Sequence, residues 1–150
     1  MKPNIIVILG PTATGKSDIA VQIAKKVDGE IISADSRQVF KGMDLGSGKI
    51  TKKEMRGIPH YLLDIAKPNT IFSVAKYKEL ADKSIEKIIS KGKTPIICGG
   101  TGFYIDSIVK NITLPKVKLN KKLRKTLEKK SAEKLFEMLK KISPARAKNI

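Results

Sequence analysis

A glycine-rich turn near the amino terminus carries the clearest chemical signal in the sequence. The phosphate-loop pattern G-x-x-x-x-G-K-[ST] is matched in full by Gly10, Pro11, Thr12, Ala13, Thr14, Gly15, Lys16 and Ser17. In this pattern the glycines let backbone N–H groups converge on phosphate oxygens, and the start of the following helix adds partial positive charge. We expect Lys16 to reach the outer phosphate and Ser17 to ligate Mg²⁺. The turn therefore predicts a site for a di- or triphosphate, with Mg²⁺ as cofactor.

A second group of polar residues follows the next predicted strand. Residues 30–34 have the composition of a buried strand, and Asp35, Ser36, Arg37 and Gln38 come directly after it. Ligands of open parallel sheets bind beyond the carboxyl ends of the strands, so we expect Asp35 to face the phosphate site. There it can hold Mg²⁺ through water or act as a general base toward an acceptor. The alternative is an aspartate that only caps a turn.

Alternating strands and helices are expected to position these groups. Short apolar runs rich in Ile and Val predict buried parallel strands at residues 4–9, 30–34 and 94–98. Helical spacing predicts a helix after Lys16 and another after Ser73, which is its expected N-cap. Residues 41–58 contain four glycines and little periodicity, which predicts a long loop. The predicted fold is α/β, with a P-loop NTPase-like parallel sheet flanked by helices.

The chain changes character at residue 115. A narrow stripe of Leu119, Leu123 and Leu127 runs among lysines, and Ser131 then precedes a second helical pattern. We therefore predict a P-loop core over residues 1–114 and the beginning of a basic helical insertion over residues 115–150. Ser143 and Pro144 form a helix-start pattern close to the last residue.

Positive charge is concentrated in this second part. The whole chain has a formal net charge of +17, and residues 116–150 hold 13 Lys or Arg against 3 Glu. Such a surface attracts polyanions such as nucleic acid, although lysines also solvate ordinary helix faces. The single cysteine, Cys98, lies in an apolar run, which indicates a buried strand residue and argues against disulfides and metal clusters. No apolar run is long enough to span a membrane, so a cytoplasmic protein is expected.

Four motifs together resemble the tRNA dimethylallyltransferase family. They are the loop at 10–17, Asp-Ser-Arg-Gln-Val-Phe at 35–40, Gly-Ile-Pro-His at 57–60 and Gly-Gly-Thr-Gly-Phe-Tyr at 99–104. The chain departs from the family pattern at Phe40, where tyrosine is usual, and at Tyr61, where a second histidine is common. Residues 46–50 lack a proline that the family usually has. His60, the only histidine, is expected to make a structural hydrogen bond rather than to bind metal.

The resemblance implies a reaction and a set of site residues. A dimethylallyl group would pass from its diphosphate, held by residues 10–17, to N6 of the adenine on the 3′ side of a tRNA anticodon. Asp35 would be the general base, and Thr101 would lie near the reacting centre as a second catalytic residue. The residues implied to contact tRNA are Asp35, Ser36, Arg37, Gln38, Thr101 and Arg124. The implied partners are therefore tRNA and dimethylallyl diphosphate.

Other readings of the same residues stay open. A P-loop small-molecule or nucleoside kinase would use Lys16, Ser17 and Asp35 in similar positions with ATP as donor. A nucleic-acid-binding ATPase would combine the phosphate loop with the basic charge, and free adenine nucleotides are a possible prenyl acceptor. We expect a monomer with no membrane segment. We also expect residues 1–150 to form the amino-terminal piece of a longer enzyme, inactive alone, because only three strands of the sheet are evident.

Overall fold

The computed structural model describes residues 4–114 and 120–150. The chain forms two compact units, Met1–Pro115 and Lys116–Ile150. The functional division at residue 115 stays a prediction. That residue and Leu119, the first member of the leucine stripe, lie outside the described residues.

The first unit is built on a parallel sheet of four strands. These are β1 (Ile6–Leu9), β2 (Gly29–Ser33), β3 (His60–Tyr61) and β4 (Thr94–Gly99), in the order β1-β4-β2-β3. Every pairing between them is parallel. The predicted α/β class is confirmed, but the expectation of three strands was wrong within the described residues. The missed strand β3 is only two residues long, too short for any periodicity to reveal it.

Helices cover both faces of this sheet. Within residues 4–114 the helices are α1 (Lys16–Lys26), α2 (Lys52–Met55), α3 (Val74–Ser90) and α4 (Gly102–Val109). Ile31 and Ile96 pack in one buried cluster with residues of α1, whereas Ile32 and Ile97 pack in another with residues of α3 and α4. Successive strand residues thus point to opposite apolar layers. This explains why β2 and β4 are buried along nearly their whole length rather than at alternate residues.

The boundaries follow recognisable local signals. Ser73 is the N-cap of α3, as predicted, and its hydroxyl accepts a hydrogen bond from the Lys76 amide. The region predicted as a long loop instead contains α2. Thr51 caps this helix, and the Glu54 carboxylate reaches back to the Thr51 amide, which completes a capping box. The Thr-x-x-Glu signal was present in the sequence but lay among glycines and lysines.

The described part of the second unit, residues 120–150, contains three short helices. They are α5 (Lys121–Leu127), α6 (Ala132–Ile142) and α7 (Pro144–Ala147). Ser131 caps α6 as predicted, and its hydroxyl accepts from the Lys134 amide. Pro144 occupies the first position of α7, where its missing N–H is not needed. Across the described parts of both units, no helix is long and apolar enough to cross a membrane.

Candidate active site

Three strands end side by side and place the candidate site at one edge of the sheet. β1 leads into the glycine-rich turn, β2 leads into Asp35, and β4 ends at Gly99. The Ala34 amide donates to the Cys98 carbonyl oxygen at 2.8 Å, so the ends of β2 and β4 are tightly joined. A Cβ atom on Gly99 would lie 2.2 Å from the Ala34 carbonyl oxygen. Only glycine therefore permits this close approach of the two strand ends.

A cavity of about 490 Å³ opens above these strand ends. It contains most of the predicted phosphate loop together with the polar residues that follow β2. The predicted site residues that line it are Thr12, Ala13, Thr14, Gly15, Lys16, Ser17, Asp35 and Gln38. The fold thus brings the phosphate loop and the candidate general base to one cavity. Gly10 and Pro11, which begin the loop, are not among the residues lining it.

The phosphate loop is folded as an anion-binding turn. Ala13 and Gly15 adopt positive φ angles of 63° and 76°, which turn successive amides inward. Gly15 is the N-cap of α1 and supplies no side-chain cap, so the first amides of the helix face the cavity. The Lys16 ammonium donates to the Pro11 carbonyl oxygen at 2.6 Å, and the Thr14 hydroxyl donates to the same atom at 2.9 Å. This contact uses one of the three N–H donors of Lys16, which leaves two for a bound phosphate.

Asp35 is half-buried and closes a turn with one of its two oxygens. Its Oδ1 accepts hydrogen bonds from the amides of Arg37 at 2.8 Å and Gln38 at 3.3 Å. Among residues 4–114 and 120–150, no group donates to its Oδ2. Asp35 therefore does cap a turn, which was the alternative to a catalytic role, but only one of its two carboxylate oxygens takes part. The other oxygen is available for a proton or a ligand.

Thr101, which follows β4, supports this turn through Ser36. The Thr101 amide donates to the Ala34 carbonyl oxygen at 3.0 Å, and its hydroxyl accepts from the Ser36 amide at 2.9 Å. Neither residue lines the cavity. The structure therefore places Thr101 beside the Asp35 turn, with its hydroxyl bound to backbone. Its expected contact with tRNA stays a prediction.

The two predicted arginines lie elsewhere. Arg37 is exposed and borders a separate open cavity of about 630 Å³, formed with residues 42–47. Arg124 lies on α5, in the second unit, and is exposed. Their roles toward tRNA stay predictions.

The cavity that contains the phosphate loop and Asp35, called the main cavity below, is also lined by residues that the sequence did not predict. They are Asp18, Ser47, Gly48, Ile50, Glu54, Arg56, Cys98 and Gly99. Most belong to the segment predicted as a featureless loop, which folds back over the phosphate site. Arg56 is joined to Asp18 of α1 by an ion pair of 2.9 Å. The capping box at Thr51 was a readable signal for α2, but no local pattern shows that α2 returns to α1.

The cavity suits a magnesium ion that is shared with phosphate. No group of three or more His, Cys, Asp or Glu residues with metal-binding geometry occurs within the described residues. Mg²⁺ in phosphate sites needs only one or two protein ligands, because phosphate oxygens and water supply the rest. Ser17 lines this cavity beside the phosphate loop and fits this requirement. Mg²⁺ binding stays a prediction.

Two residues near the site have structural roles only. Cys98 is buried, and this burial raises the pKa of its thiol to about 11, which keeps it protonated and unreactive. His60 Nδ1 lies 2.8 Å from the Ile58 carbonyl oxygen, which confirms its predicted structural hydrogen bond. Burial lowers the pKa of His60, although this hydrogen bond acts in the opposite direction. The imidazole is therefore neutral at physiological pH.

Sequence comparisons extend this description. A family model described as IPP transferase matches residues 38–150. A tRNA dimethylallyltransferase of Acetivibrio thermocellus is 49% identical over 98% of this chain and 48% of that protein. Another from Anoxybacillus flavithermus is 45% identical over 100% of this chain and 48% of that protein. The chain spans about half the length of the curated relatives it matches.

Solved structures agree with the sequence comparisons. The full-length tRNA isopentenylpyrophosphate transferase of Bacillus halodurans matches with a TM-score of 0.75 and 38% identity, over 99% of this chain and 50% of that one. A eukaryotic dimethylallyltransferase acting on tRNA matches with a TM-score of 0.86 and 30% identity, over 99% of this chain and 38% of that one. The resemblance expected from the sequence motifs is confirmed, and the chain belongs to the IPP transferase family.

Proposed function

We propose that this protein transfers a dimethylallyl group from dimethylallyl diphosphate to N6 of the tRNA adenine that lies 3′ to the anticodon. The observation that carries this proposal is the shared cavity of Asp35 and the phosphate loop. A carboxylate with a free oxygen then stands beside a site for the departing diphosphate. The names of the relatives supply the substrate classes.

The residues of the cavity divide the work between donor and acceptor. On the donor side, the two remaining N–H donors of Lys16 and the first amides of α1 stabilise the negative charge of the departing diphosphate. Ser17 would hold Mg²⁺, which adds positive charge to the same leaving group when bound. On the acceptor side, Oδ2 of Asp35 takes the proton from the adenine amino group as the carbon–nitrogen bond forms and the carbon–oxygen bond breaks.

The proposed polymeric substrate fits the charge of the chain. The net charge of +17 favours binding to a polyanion, and Arg124 with its neighbouring lysines on α5 is exposed. An adenine in a loop must leave its stack to reach a recessed carboxylate, which costs little in single-stranded RNA. Asp35 is itself a proposed tRNA contact, and the other proposed contacts nearest to it are Ser36, Arg37, Gln38 and Thr101. Location in the cytoplasm and a monomeric state stay predictions.

A donor and acceptor panel tests the proposal. The full-length protein is incubated with radiolabelled dimethylallyl diphosphate and unmodified tRNA, adenosine or AMP in parallel, and separately with γ-labelled ATP and nucleosides. We expect label transfer only to tRNA. Transfer to AMP alone would identify a prenyltransferase of free nucleotides, and phosphoryl transfer from ATP without prenyl transfer would identify a kinase. Either result would overturn the proposed function.

A further inference from the structure

We propose that Lys49 is a positioning residue that fixes the acceptor side of the site, by tying the loop at residues 43–48 to the Asp35 turn through Gln38. The inference rests on the proposed function, because it assigns a role in that same transfer reaction. Lys49 does not line the main cavity. Its proposed effect is therefore transmitted through other residues.

The Lys49 ammonium is buried and has all three of its donors occupied. Its side chain is 6% exposed. Nζ donates to the Phe40 carbonyl oxygen at 2.9 Å, to Asp44 Oδ1 at 2.7 Å and to Asp64 Oδ1 at 2.5 Å. An ammonium buried at this depth is tolerated only when it is paired and hydrogen-bonded. Phe40 and Asp44 lie four residues apart and Asp64 belongs to a later segment, so Lys49 joins these two parts of the chain.

The surrounding charges keep Lys49 protonated. Burial by itself lowers the pKa of this group, but the carboxylates of Asp44 and Asp64 outweigh burial and raise its pKa above the usual value. The two carboxylates are themselves about half exposed or more. Lys49 is thus a permanent cation that holds two partly exposed acidic side chains, rather than a group that exchanges protons.

Gln38 connects this cluster to Asp35. Its side-chain amide donates to the carbonyl oxygens of Ser47 at 3.3 Å and Gly48 at 3.2 Å. The backbone carbonyl oxygen of Gln38 accepts a hydrogen bond from the backbone amide of Asp64 at 3.2 Å. The backbone amide of Gln38 donates to Asp35 Oδ1. Gln38 is therefore held on two sides by segments that Lys49 joins, and it is bonded directly to the candidate general base.

Polar contacts, not apolar burial, hold the loop at residues 43–48. Leu45 is fully exposed at its tip, and Met43 is 38% exposed. Gly42 and Gly48 have positive φ angles, which give the loop its sharp ends. Ser47 and Gly48 also line the main cavity. Loss of Lys49 is therefore expected to loosen one wall of the cavity and the Asp35 turn together.

The phosphate loop is independent of this cluster. Among the described residues, the hydrogen bonds of Lys49 and Gln38 reach none of residues 10–17. A positioning role therefore predicts a specific pattern: diphosphate binding stays intact while transfer slows. A lysine that only stabilised the fold would affect both equally.

Three variants of the full-length protein test this pattern. Lys49→Met removes the charge, Lys49→Arg keeps a permanent cation, and Lys53→Met changes a nearby exposed lysine as the matched control. For each, we would measure the affinity for dimethylallyl diphosphate, the single-turnover rate of transfer to tRNA, and hydrogen exchange at the Gln38 amide. For Lys49→Met we expect unchanged diphosphate affinity, transfer slower by roughly 10- to 100-fold and faster amide exchange. Lys49→Arg should recover part of the rate, and Lys53→Met should match the unmodified protein.

The outcomes separate this inference from the proposed function. If the unmodified protein transfers no prenyl group to tRNA, the proposed function fails, and amide exchange still tests whether Lys49 holds the Asp35 turn. If transfer occurs and Lys49→Met transfers normally, or if its Gln38 amide exchanges as before, the inference is wrong. Asp44→Asn supplies a second test should Lys49→Met not fold, because it removes one exposed partner only. It should slow transfer by roughly threefold or more without weakening diphosphate binding, and an unchanged rate would also overturn the inference.

Discussion

Two acidic residues lie at opposite ends of the parallel sheet: Glu30 at the start of β2 and Asp35 just after its end. The first is fully paired within the protein, and the second is not. Glu30, at the amino end, is 2% exposed and accepts from the Tyr61 hydroxyl at 2.6 Å and from Lys91 at 2.8 Å. Lys93 lies 3.8 Å from its other oxygen. Asp35, at the carboxyl end, is half-buried and has one oxygen free of partners among the described residues.

This difference shows how one sheet separates stability from chemistry. A buried carboxylate with both oxygens paired strengthens the fold and has no capacity left for a substrate. A carboxylate with one oxygen bound and one free is oriented without being saturated. Parallel strands place their carboxyl ends together, where loops form a cavity, so the unsaturated group lies where a ligand can reach it.

Asp35→Asn should give the largest effect on function with the smallest effect on stability. The asparagine Oδ1 can still accept from the amides of Arg37 and Gln38, so the turn is kept, but the free position no longer takes a proton. We expect transfer to slow by roughly 100-fold or more, as for loss of a general base. Single-turnover transfer and urea unfolding would be measured together, with Asp106→Asn on α4 as the control. A near-normal transfer rate would exclude Asp35 as the base.

Lys16→Ala should weaken diphosphate binding and leave tRNA binding unchanged. The variant removes the cation of the phosphate loop, and a charge-assisted hydrogen bond of this kind is worth roughly 1.5–3 kcal/mol, or about 10- to 100-fold in affinity. Calorimetry with dimethylallyl diphosphate measures the effect. Lys25→Ala, on the same helix α1 but in its last turn, is the control. Equal affinities for the two variants would show that Lys16 does not contact the diphosphate.

Glu30→Gln should do the reverse, with lower stability and normal transfer. A buried carboxylate that loses its charge-assisted bonds is expected to cost roughly 1–3 kcal/mol of unfolding free energy. Burial raises the pKa of Glu30, but the bonds to Lys91 and Tyr61 outweigh it and lower the pKa below 4.5. Its stabilisation is therefore complete above pH 4.5 and is lost as the pH falls through the lowered pKa. Urea unfolding of the unmodified protein and of Glu30→Gln should be compared above and below pH 4.5, and the difference in unfolding free energy should narrow in acid. A difference that does not change with pH would show that the ionised Glu30 does not stabilise the fold.

The two ends also differ in how far the sequence revealed them. The phosphate loop, the strand before it and α1 were readable because each depends on neighbouring residues only. The sheet order was not readable, since β4 inserts between β1 and β2 although it follows them in the chain by many residues. Asp35 was placed correctly at the cavity, because the carboxyl-end rule requires only that β2 be parallel.

The segment after Asp35 resisted prediction for a physical reason. Its structure depends on contacts between distant residues, such as Lys49 with Asp64 and Gln38 with Gly48, rather than on periodicity. Glycines and lysines at such positions look the same as those of an unstructured loop. Glu30, Tyr61 and Lys91 form the cluster at the amino end of the sheet. It could not be predicted either, because its residues are far apart in sequence.

Tyr61→Phe should produce the smallest effect and resolves the amino-end cluster further. The phenylalanine ring can still pack under Lys87 and Lys91, whose ammonium groups each lie 5.6 Å from the ring centroid of Tyr61. Only the hydroxyl is lost, and Lys91 still pairs with Glu30. The lost hydroxyl donates to Glu30 at 2.6 Å and accepts from Lys91 at 2.9 Å, so we expect a cost of about 1–2 kcal/mol for the two hydrogen bonds.

A double-mutant cycle between Tyr61→Phe and Glu30→Gln measures this bond directly. If the hydroxyl acts through the Glu30 carboxylate, the two changes together should cost less than the sum of each alone. Additive costs would mean that the 2.6 Å contact contributes nothing and that the hydroxyl acts through its hydrogen bond from Lys91. The transfer rate of Tyr61→Phe should stay normal in either case, because the cluster lies at the end of the sheet opposite Asp35. A slowed rate with unchanged stability would contradict the separation of the two ends.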